Sequence, residues 1–193
     1  MAGGAPLVWL LRHGQTEWSA NGRHTGRTDV PLTAAGEDQA RALAPLVASL
    51  KVDMVLCSPR QRARRTAELA GLAPFDVTDD LREWDYGDFE GRTTADIRRE
   101  IPDWSIWTGP WAGGESAAQV AERADRLIAR LRGSGASRVV LVGHGHFSRV
   151  TGARWVGAPV HAGRWLEFDT ASWSRLGWDR GVPVLNHWNV PAR

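Results

Sequence analysis

The chain has 193 residues, of which 42% are hydrophobic and 24% charged, a composition typical of a globular protein rather than a disordered one. Its formal net charge is +2 and its basic residues form no long run, which argues against a nucleic-acid partner. No apolar stretch is long enough to cross a membrane and no basic-flanked leader is visible, so we expect a cytoplasmic protein with no membrane partner. The single cysteine, Cys57, is expected to be a buried apolar residue in a reducing compartment.

The first part of the chain alternates strands with helices. The apolar run 7–11 predicts a buried strand that ends just before His13, and residues 53–57 predict a second strand. Apolar residues at helical spacing over 33–50 predict a helix capped by its first threonine, and a proline begins another helix over 59–70.

Residues 79–115 have a different composition, rich in acidic, aromatic and glycine residues. This segment predicts a short lid-like excursion, with one short helix, over one end of the sheet. Its tryptophans could contact substrate or pack inside the lid, and we favour packing. They are Trp104, Trp107 and Trp111.

The remaining chain returns to alternating elements. An amphipathic helix is predicted over 116–133, or from two residues earlier, followed by a buried strand over 138–142 and another helix. Shorter alternating segments over 165–188 predict edge strands. The whole pattern predicts an α/β three-layer sandwich in a single domain, 1–193, with a mostly parallel central sheet and helices on both faces. The active site of such a fold lies at the carboxyl ends of the strands.

Two histidines, His13 and His144, each follow a predicted buried strand and stand beside a glycine. A lone histidine is more often structural, but two at the same end of one sheet define a pocket. Arg12 precedes the first histidine, and Arg62 lies at the start of a helix that follows another strand. Guanidinium groups neutralise phosphoryl oxygens and a neutral imidazole can attack phosphorus, so this set of residues indicates phosphoryl transfer.

Six segments match, in the same order, motifs of the histidine phosphatase superfamily, the phosphoglycerate-mutase-like group. They are RHGQT (12–16), PLTAAG (31–36), SPRQRA followed by TA (58–67), LRE followed by G and EG (81–91), GES (114–116) and VGHG (142–145). Together they span nearly the whole chain, so the chain resembles that family along its full length.

The resemblance implies a role for each matched position. His13 would be the phosphate-accepting nucleophile and Glu83 the proton donor to the leaving oxygen. Arg12, Arg62 and His144 would form the phosphate pocket, with His144 acting as a cationic donor to the developing charge.

Glu83 also has a purely structural interpretation, as a surface carboxylate paired with Arg82 or Arg92. If that interpretation held, Asp85 and Asp88 would be the nearest carboxylates to take the role of acid.

Further substrate contacts are predicted near these motifs: Ser19, His24, Thr25, Trp84 and His146. Many members of the family have asparagine at the position of Ser19, whose shorter side chain puts that phosphate contact in doubt. His24 and Thr25, in the same loop, are candidates to compensate.

The segment between Glu83 and His144 is shorter than in mutases of this family, which favours a phosphatase of the small bacterial acid phosphatase type acting on small phosphorylated metabolites. A cofactor-dependent phosphoglycerate mutase and a non-catalytic phospholigand-binding protein are the alternatives. We expect no cofactor and no metal, because His144 and His146 form a spaced pair that no further ligand completes. The oligomeric state stays open, with a homodimer as one candidate.

Overall fold

The computed structural model describes residues 5–192, and in this range six strands form one sheet. The strands are β1 (Leu7–Arg12), β2 (Met54–Cys57), β3 (Asp76–Val77), β4 (Arg138–Gly143), β5 (Ser172–Asp179) and β6 (Val182–Pro191). Their order is β3-β2-β4-β1-β5-β6. The first four run parallel, and β5 and β6 are antiparallel additions at one side. The predicted α/β class with a mostly parallel sheet is therefore confirmed.

Helices connect the strands and cover the sheet. They are α1 (Glu17–Ala20), α2 (Ala34–Arg41), α3 (Ala44–Ser49), α4 (Gln61–Leu69), α5 (Thr94–Glu100), α6 (Ala117–Gly133) and α7 (Gly145–Trp155). Three-residue and six-residue 3₁₀ turns lie at Asp79–Leu81, Gly87–Phe89 and Val160–Trp165. Ser116 caps α6 by accepting a hydrogen bond from the Gln119 amide, which explains why the helix begins where the sequence predicted.

Alternate residues of the central strands face opposite sides of the sheet. Val8 and Leu10 of β1 pack into one apolar cluster with residues of α6 and α7, whereas Trp9 and Leu11 pack into a second cluster with residues of α3 and α4. A parallel strand buried on both faces accounts for the unbroken apolar run in the sequence. Cys57 lies in the second cluster, where burial raises the pKa of its thiol to about 12.

Three local predictions differ from the structure. The helix predicted over 33–50 is two helices, α2 and α3, because Pro45 in the first turn of α3 cannot continue the hydrogen bonding of a preceding helix. The two-residue strand β3 was not predicted, since both its residues are exposed and carry no apolar pattern. Of the two strands in the region predicted to form edge strands, only β6 lies at an edge of the sheet, because β5 lies between β1 and β6 and pairs with both. Residues 1–4 and 193, included in the predicted domain, lie outside the described part of the chain.

The segment 79–115 packs against the body of the protein through its aromatic residues. Trp104 and Trp107 are buried in the apolar cluster that contains α6 and α7, and their rings lie 5.0 Å from Phe89 and 5.6 Å from Trp84. This burial agrees with the packing interpretation of these tryptophans. The same segment supplies Glu83 to the cavity described next.

Candidate active site

His13 follows β1 at the carboxyl end of the sheet and is buried, with 5% of its surface exposed. Its Nδ1 lies 2.7 Å from the Gly14 carbonyl oxygen, which accepts the Nδ1–H hydrogen bond and leaves the lone pair on Nε2. Burial, followed by the nearby positive charges of Arg62 and Arg12, holds the pKa of His13 well below its usual range. The imidazole is therefore neutral and its free nitrogen is nucleophilic.

His144 lies at the N-cap of α7, and its ring centre is 5.2 Å from that of His13. The two histidines meet because β1 and β4 are neighbours, with Arg12 opposite Gly143. His144 Nε2 lies 2.7 Å from the Ser58 hydroxyl, and Nδ1 is buried without a partner among residues 5–192. If Ser58 donates to Nε2, Nδ1 carries the proton and can donate it to a phosphate oxygen.

The charge of His144 differs from the sequence expectation. Burial and the charge of Arg62 hold its pKa well below the usual range, so in the structure the ring is neutral and not the cationic group expected. A neutral N–H donor still stabilises negative charge that develops on a phosphoryl oxygen.

Arg12 and Arg62 bring two guanidinium groups next to His13. Arg62 is fully buried, and its Nη1 and Nη2 donate to the carbonyl oxygens of Thr28 and Thr25 at 2.9 Å each. Arg12 Nη1 donates to the Phe168 carbonyl oxygen. In both arginines Nε is buried and has no partner in the described chain. Such buried donors need an acceptor, which phosphoryl oxygens would supply.

A glycine makes room for Arg12. A Cβ on Gly145 would lie 3.2 Å from the Arg12 Cζ, tighter than ordinary contact. Gly145, the second glycine of the VGHG segment, thus lets α7 begin directly against the guanidinium group.

Burial lowers the pKa of Arg12 and of Arg62, and the charge of Glu83 opposes part of this effect in both.

Glu83 is 7% exposed and is held by three backbone amides. Oε1 accepts from the N–H groups of Trp84 and Phe147, both at 2.8 Å, and Oε2 accepts from His146 N–H at 3.0 Å. The last two amides belong to the first turn of α7, where helix N–H groups have no partner inside the helix. The carboxyl group is therefore fixed in orientation at one wall of the cavity.

The structural interpretation of Glu83 as a surface ion pair is wrong, because both proposed partners are engaged elsewhere. Arg82 lies 3.8 Å from Asp79, and Arg92 pairs with Glu100 at 2.6 Å. The first substitute acid, Asp85, is itself paired with an arginine, with its carboxylate 2.7 Å from Arg27 Nε.

A cavity of about 250 Å³ opens over His13 and Glu83. Seven of the predicted site residues line it: Arg12, His13, Ser19, His24, Thr25, Glu83 and His146. Arg62 and His144 are wholly buried and are not part of this cavity surface, although the His144 ring lies 5.2 Å from that of His13. Trp84 is the exception, because its side chain is fully buried in the core and its indole N–H donates to the Glu115 carbonyl oxygen. Its predicted role as a substrate contact is replaced by that of its backbone amide, which holds Glu83.

Ser19 lines the cavity, but its hydroxyl is already used. It accepts a hydrogen bond from Thr16 N–H at 2.8 Å and donates to the Thr16 carbonyl oxygen at 3.0 Å, capping α1. Thr25 contributes mainly through its carbonyl oxygen, which holds Arg62, since its hydroxyl donates to Arg23. In this arrangement the Ser19 hydroxyl group has no further proton to donate to a phosphate oxygen.

The outer wall of the cavity is built from uncharged rings. The ring of His24 lies 4.7 Å from that of Tyr86, and His146 Nδ1 lies 2.8 Å from the Tyr86 hydroxyl. Burial lowers the pKa of His24 to about 4 and that of His146 well below the usual range, while it raises that of Tyr86 well above. Near neutral pH this wall therefore carries no charge.

Several functional positions were missed from the sequence. Ser58, which orients His144, stands inside the SPRQRA segment, so the motif itself carried a signal. Five further residues of the cavity surface lie outside any motif that points to substrate: Gly22, Arg23, Thr94, Arg149 and Phe168.

Over 5–192, no three His, Cys, Asp or Glu side chains are grouped so that they could hold a metal ion. His144 and His146 each have one ring nitrogen hydrogen-bonded to a protein hydroxyl group. No helix in the same range has the length and apolar character needed to span a bilayer.

The fold and this site together define an α/β enzyme of phosphoryl transfer. The family model of the histidine phosphatase superfamily (branch 1) matches residues 8–191, so the chain belongs to that family. It is a phosphatase of the phosphoglycerate-mutase-like group, which acts on small phosphorylated molecules.

Two known proteins and one solved structure are similar to this chain over most of its length. An acid phosphatase of Mycobacterium tuberculosis is 49% identical over 179 residues, covering 91% of this chain and 88% of that protein. A probable phosphoglycerate mutase of Salmonella choleraesuis is 33% identical over 193 residues, covering 95% and 90%. A solved structure from Mycobacterium tuberculosis superposes with a TM-score of 0.93 at 44% identity, covering 97% of this chain and 99% of that one.

Replacement of Arg62 tests the phosphate pocket. Because its guanidinium group would hold phosphate in both the bound substrate and the transition state, we expect Arg62→Ala to raise KM and lower kcat, with kcat/KM falling about 10²-fold or more. Arg64→Ala is the matched control, since Arg64 is exposed on the same helix. Steady-state kinetics with unchanged constants for Arg62→Ala would contradict the assignment and direct attention to Arg60, whose Nε is also buried without a partner in the described chain.

Proposed function

We propose that the chain hydrolyses small phosphomonoesters through a phosphohistidine intermediate on His13, with Glu83 as the proton donor. One observation carries the proposal: the Gly14 carbonyl oxygen fixes the Nδ1 proton of a neutral His13, so that Nε2 is free in a cavity also lined by Arg12 and Glu83.

In the first step, Nε2 of His13 forms a bond to phosphorus and the bond from phosphorus to the alcohol oxygen breaks. Glu83, protonated, gives its proton to that oxygen, so a neutral alcohol leaves. Negative charge on the phosphoryl oxygens is stabilised by the guanidinium groups of Arg12 and Arg62 and by the Nδ1–H of His144.

In the second step, water attacks the phosphorus of the phosphohistidine. The Glu83 carboxylate takes a proton from this water as the bond between phosphorus and nitrogen breaks, which yields inorganic phosphate, neutral His13 and protonated Glu83. The three amides that hold Glu83 keep its carboxyl group in one place for both proton transfers.

Phosphoglycerate mutase activity is the second candidate, favoured by the similarity to the Salmonella protein. The two activities differ in the fate of 3-phosphoglycerate. A phosphatase releases inorganic phosphate and glycerate, whereas a mutase forms 2-phosphoglycerate, and ³¹P NMR of the reaction distinguishes them. A protein that only binds phosphorylated ligands would release nothing, and such a module has no need of an oriented carboxyl group like that of Glu83.

Activity should survive removal of metal ions. In this site the positive charge that phosphoryl transfer needs comes from Arg12 and Arg62, so we expect prolonged dialysis against EDTA to leave kcat/KM within about twofold of its starting value. A loss of activity that Zn²⁺ or Mn²⁺ restores would contradict this mechanism and identify His144 and His146 as metal ligands.

A further inference from the structure

Arg149, on α7, places a further positive charge in the active-site cavity. It lines the same cavity as His13 and Glu83. Its Nε and Nη2 donate to the carbonyl oxygens of Gly163 and Arg164, both at 2.9 Å, and its guanidinium carbon lies 4.9 Å from the centre of the Trp107 ring. Two hydrogen bonds and one aromatic face therefore fix the position of this charge.

Arg149 has no acidic partner among residues 5–192. None of the described carboxylates forms an ion pair with it, and its Nη1 has no hydrogen-bond partner there. By contrast, Arg154, five residues further along α7, holds Asp125 through two hydrogen bonds of 2.9 Å. A half-buried cation with no anion in contact with it is costly. Burial lowers the pKa of Arg149, and the charges of Glu83 and Glu167, neither of which pairs with it, oppose part of this effect.

The charges of the reacting site leave Arg149 unbalanced. In the proposed mechanism Arg12 and Arg62 match the dianionic phosphoryl group, and Glu83 carries the proton that it donates to the leaving oxygen, so neither supplies a negative charge to Arg149 in that step. The wall made by His24 and Tyr86 is uncharged, so no group on that wall balances Arg149 when substrate is bound.

We propose, building on the function proposed above, that Arg149 binds an anionic group on the alcohol part of the substrate. The preferred substrates would then be small phosphomonoesters whose alcohol carries a carboxylate or a second phosphate. Either group offers the paired oxygens that a guanidinium group binds. Arg23, the other unassigned cation on the described cavity surface, is exposed to solvent, where a charge pair contributes little.

Three esters of similar size test the proposal. Phosphoglycolate carries a carboxylate and ethylene glycol bisphosphate a second phosphate, whereas 2-hydroxyethyl phosphate has an uncharged alcohol at the same place. We expect the wild-type kcat/KM for at least one anionic ester to exceed that for the neutral ester by about tenfold or more. The ester that shows the larger ratio identifies which anion the site takes.

The variants assign the preference to Arg149. Arg149→Gln should reduce the ratio to within about threefold of unity, and Arg149→Lys, which keeps the charge without the planar fork, should give an intermediate ratio. Arg154→Gln, the control on the same helix, should keep the wild-type ratio. Thermal unfolding of each variant shows whether it is folded. If Arg149→Gln is not folded, the ratios of kcat/KM measured for the wild type and for Arg149→Lys decide whether Arg149 sets the preference.

Equal kcat/KM for all three wild-type esters would overturn the proposal, as would a preference that persists in folded Arg149→Gln or disappears only in Arg23→Gln. In those outcomes the esters are still hydrolysed, so the phosphatase mechanism stands. Failure of the wild type to hydrolyse any phosphomonoester, including p-nitrophenyl phosphate, would instead overturn the proposed function, and this proposal with it.

Discussion

His13→Ala is expected to lower kcat by about 10³-fold or more on every phosphomonoester, because it removes the nitrogen that forms the bond to phosphorus. Direct attack by water would need a base aimed at the face of phosphorus where His13 now lies, and the neighbouring His144 is held by Ser58. Steady-state turnover of purified variant and wild type measures the loss.

His161→Ala is the matched control for the nucleophile, since His161 is exposed and does not line the cavity. It should retain kcat within about twofold. Turnover by folded His13→Ala within tenfold of the wild type would take the role of nucleophile away from His13.

Glu83→Gln should damage hydrolysis in proportion to how much the leaving group needs a proton. For a sugar phosphate, whose alkoxide is a poor leaving group, we expect a loss of about 10²–10⁴-fold, which is the range that general acid catalysis supplies. For p-nitrophenyl phosphate, whose phenolate leaves without a proton, the first step should lose little. The measurement is kcat/KM on both substrates for variant and wild type.

The contacts of Glu83 make the comparison of substrates essential. A glutamine at this position would turn an NH₂ group toward one of the three amide donors, and this local disturbance would affect both substrates alike. Glu115→Gln gives the matched structural control, because Glu115 pairs with Arg123, whose guanidinium group holds the Glu83 carbonyl oxygen. Glu115→Gln should lower kcat/KM for both substrates by a similar factor. The same pattern in Glu83→Gln would remove its role as the acid.

The placement of the two histidines at one end of the sheet was predictable because it depends only on their strands running parallel. His13 and His144 both follow short apolar runs that indicate buried strands of a parallel sheet, and such strands end at the same edge. Their direct contact was less certain, because it requires β1 and β4 to be neighbours, which periodicity does not show.

The surroundings of the site were less predictable, because they depend on contacts between distant segments. Trp84 is adjacent to Glu83 in the chain, yet its side chain points into the core while its amide holds the carboxyl group. The hydroxyl of Ser58 reaches His144 across 86 positions of sequence. Arg149 is one of many arginines, and only the folded chain distinguishes it from those with acidic partners.

The most direct test of the mechanism is chemical trapping of the intermediate. Wild-type enzyme mixed with a ³²P-labelled phosphomonoester and quenched within milliseconds should carry label that is released by acid but stable in alkali, as expected for phosphohistidine, and peptide mapping should place it on His13. His13→Ala should carry none. The intermediate should accumulate when the alcohol is released faster than inorganic phosphate. If the enzyme shows that difference in rates and yet carries no label at any quench time, the phosphohistidine on His13 is contradicted.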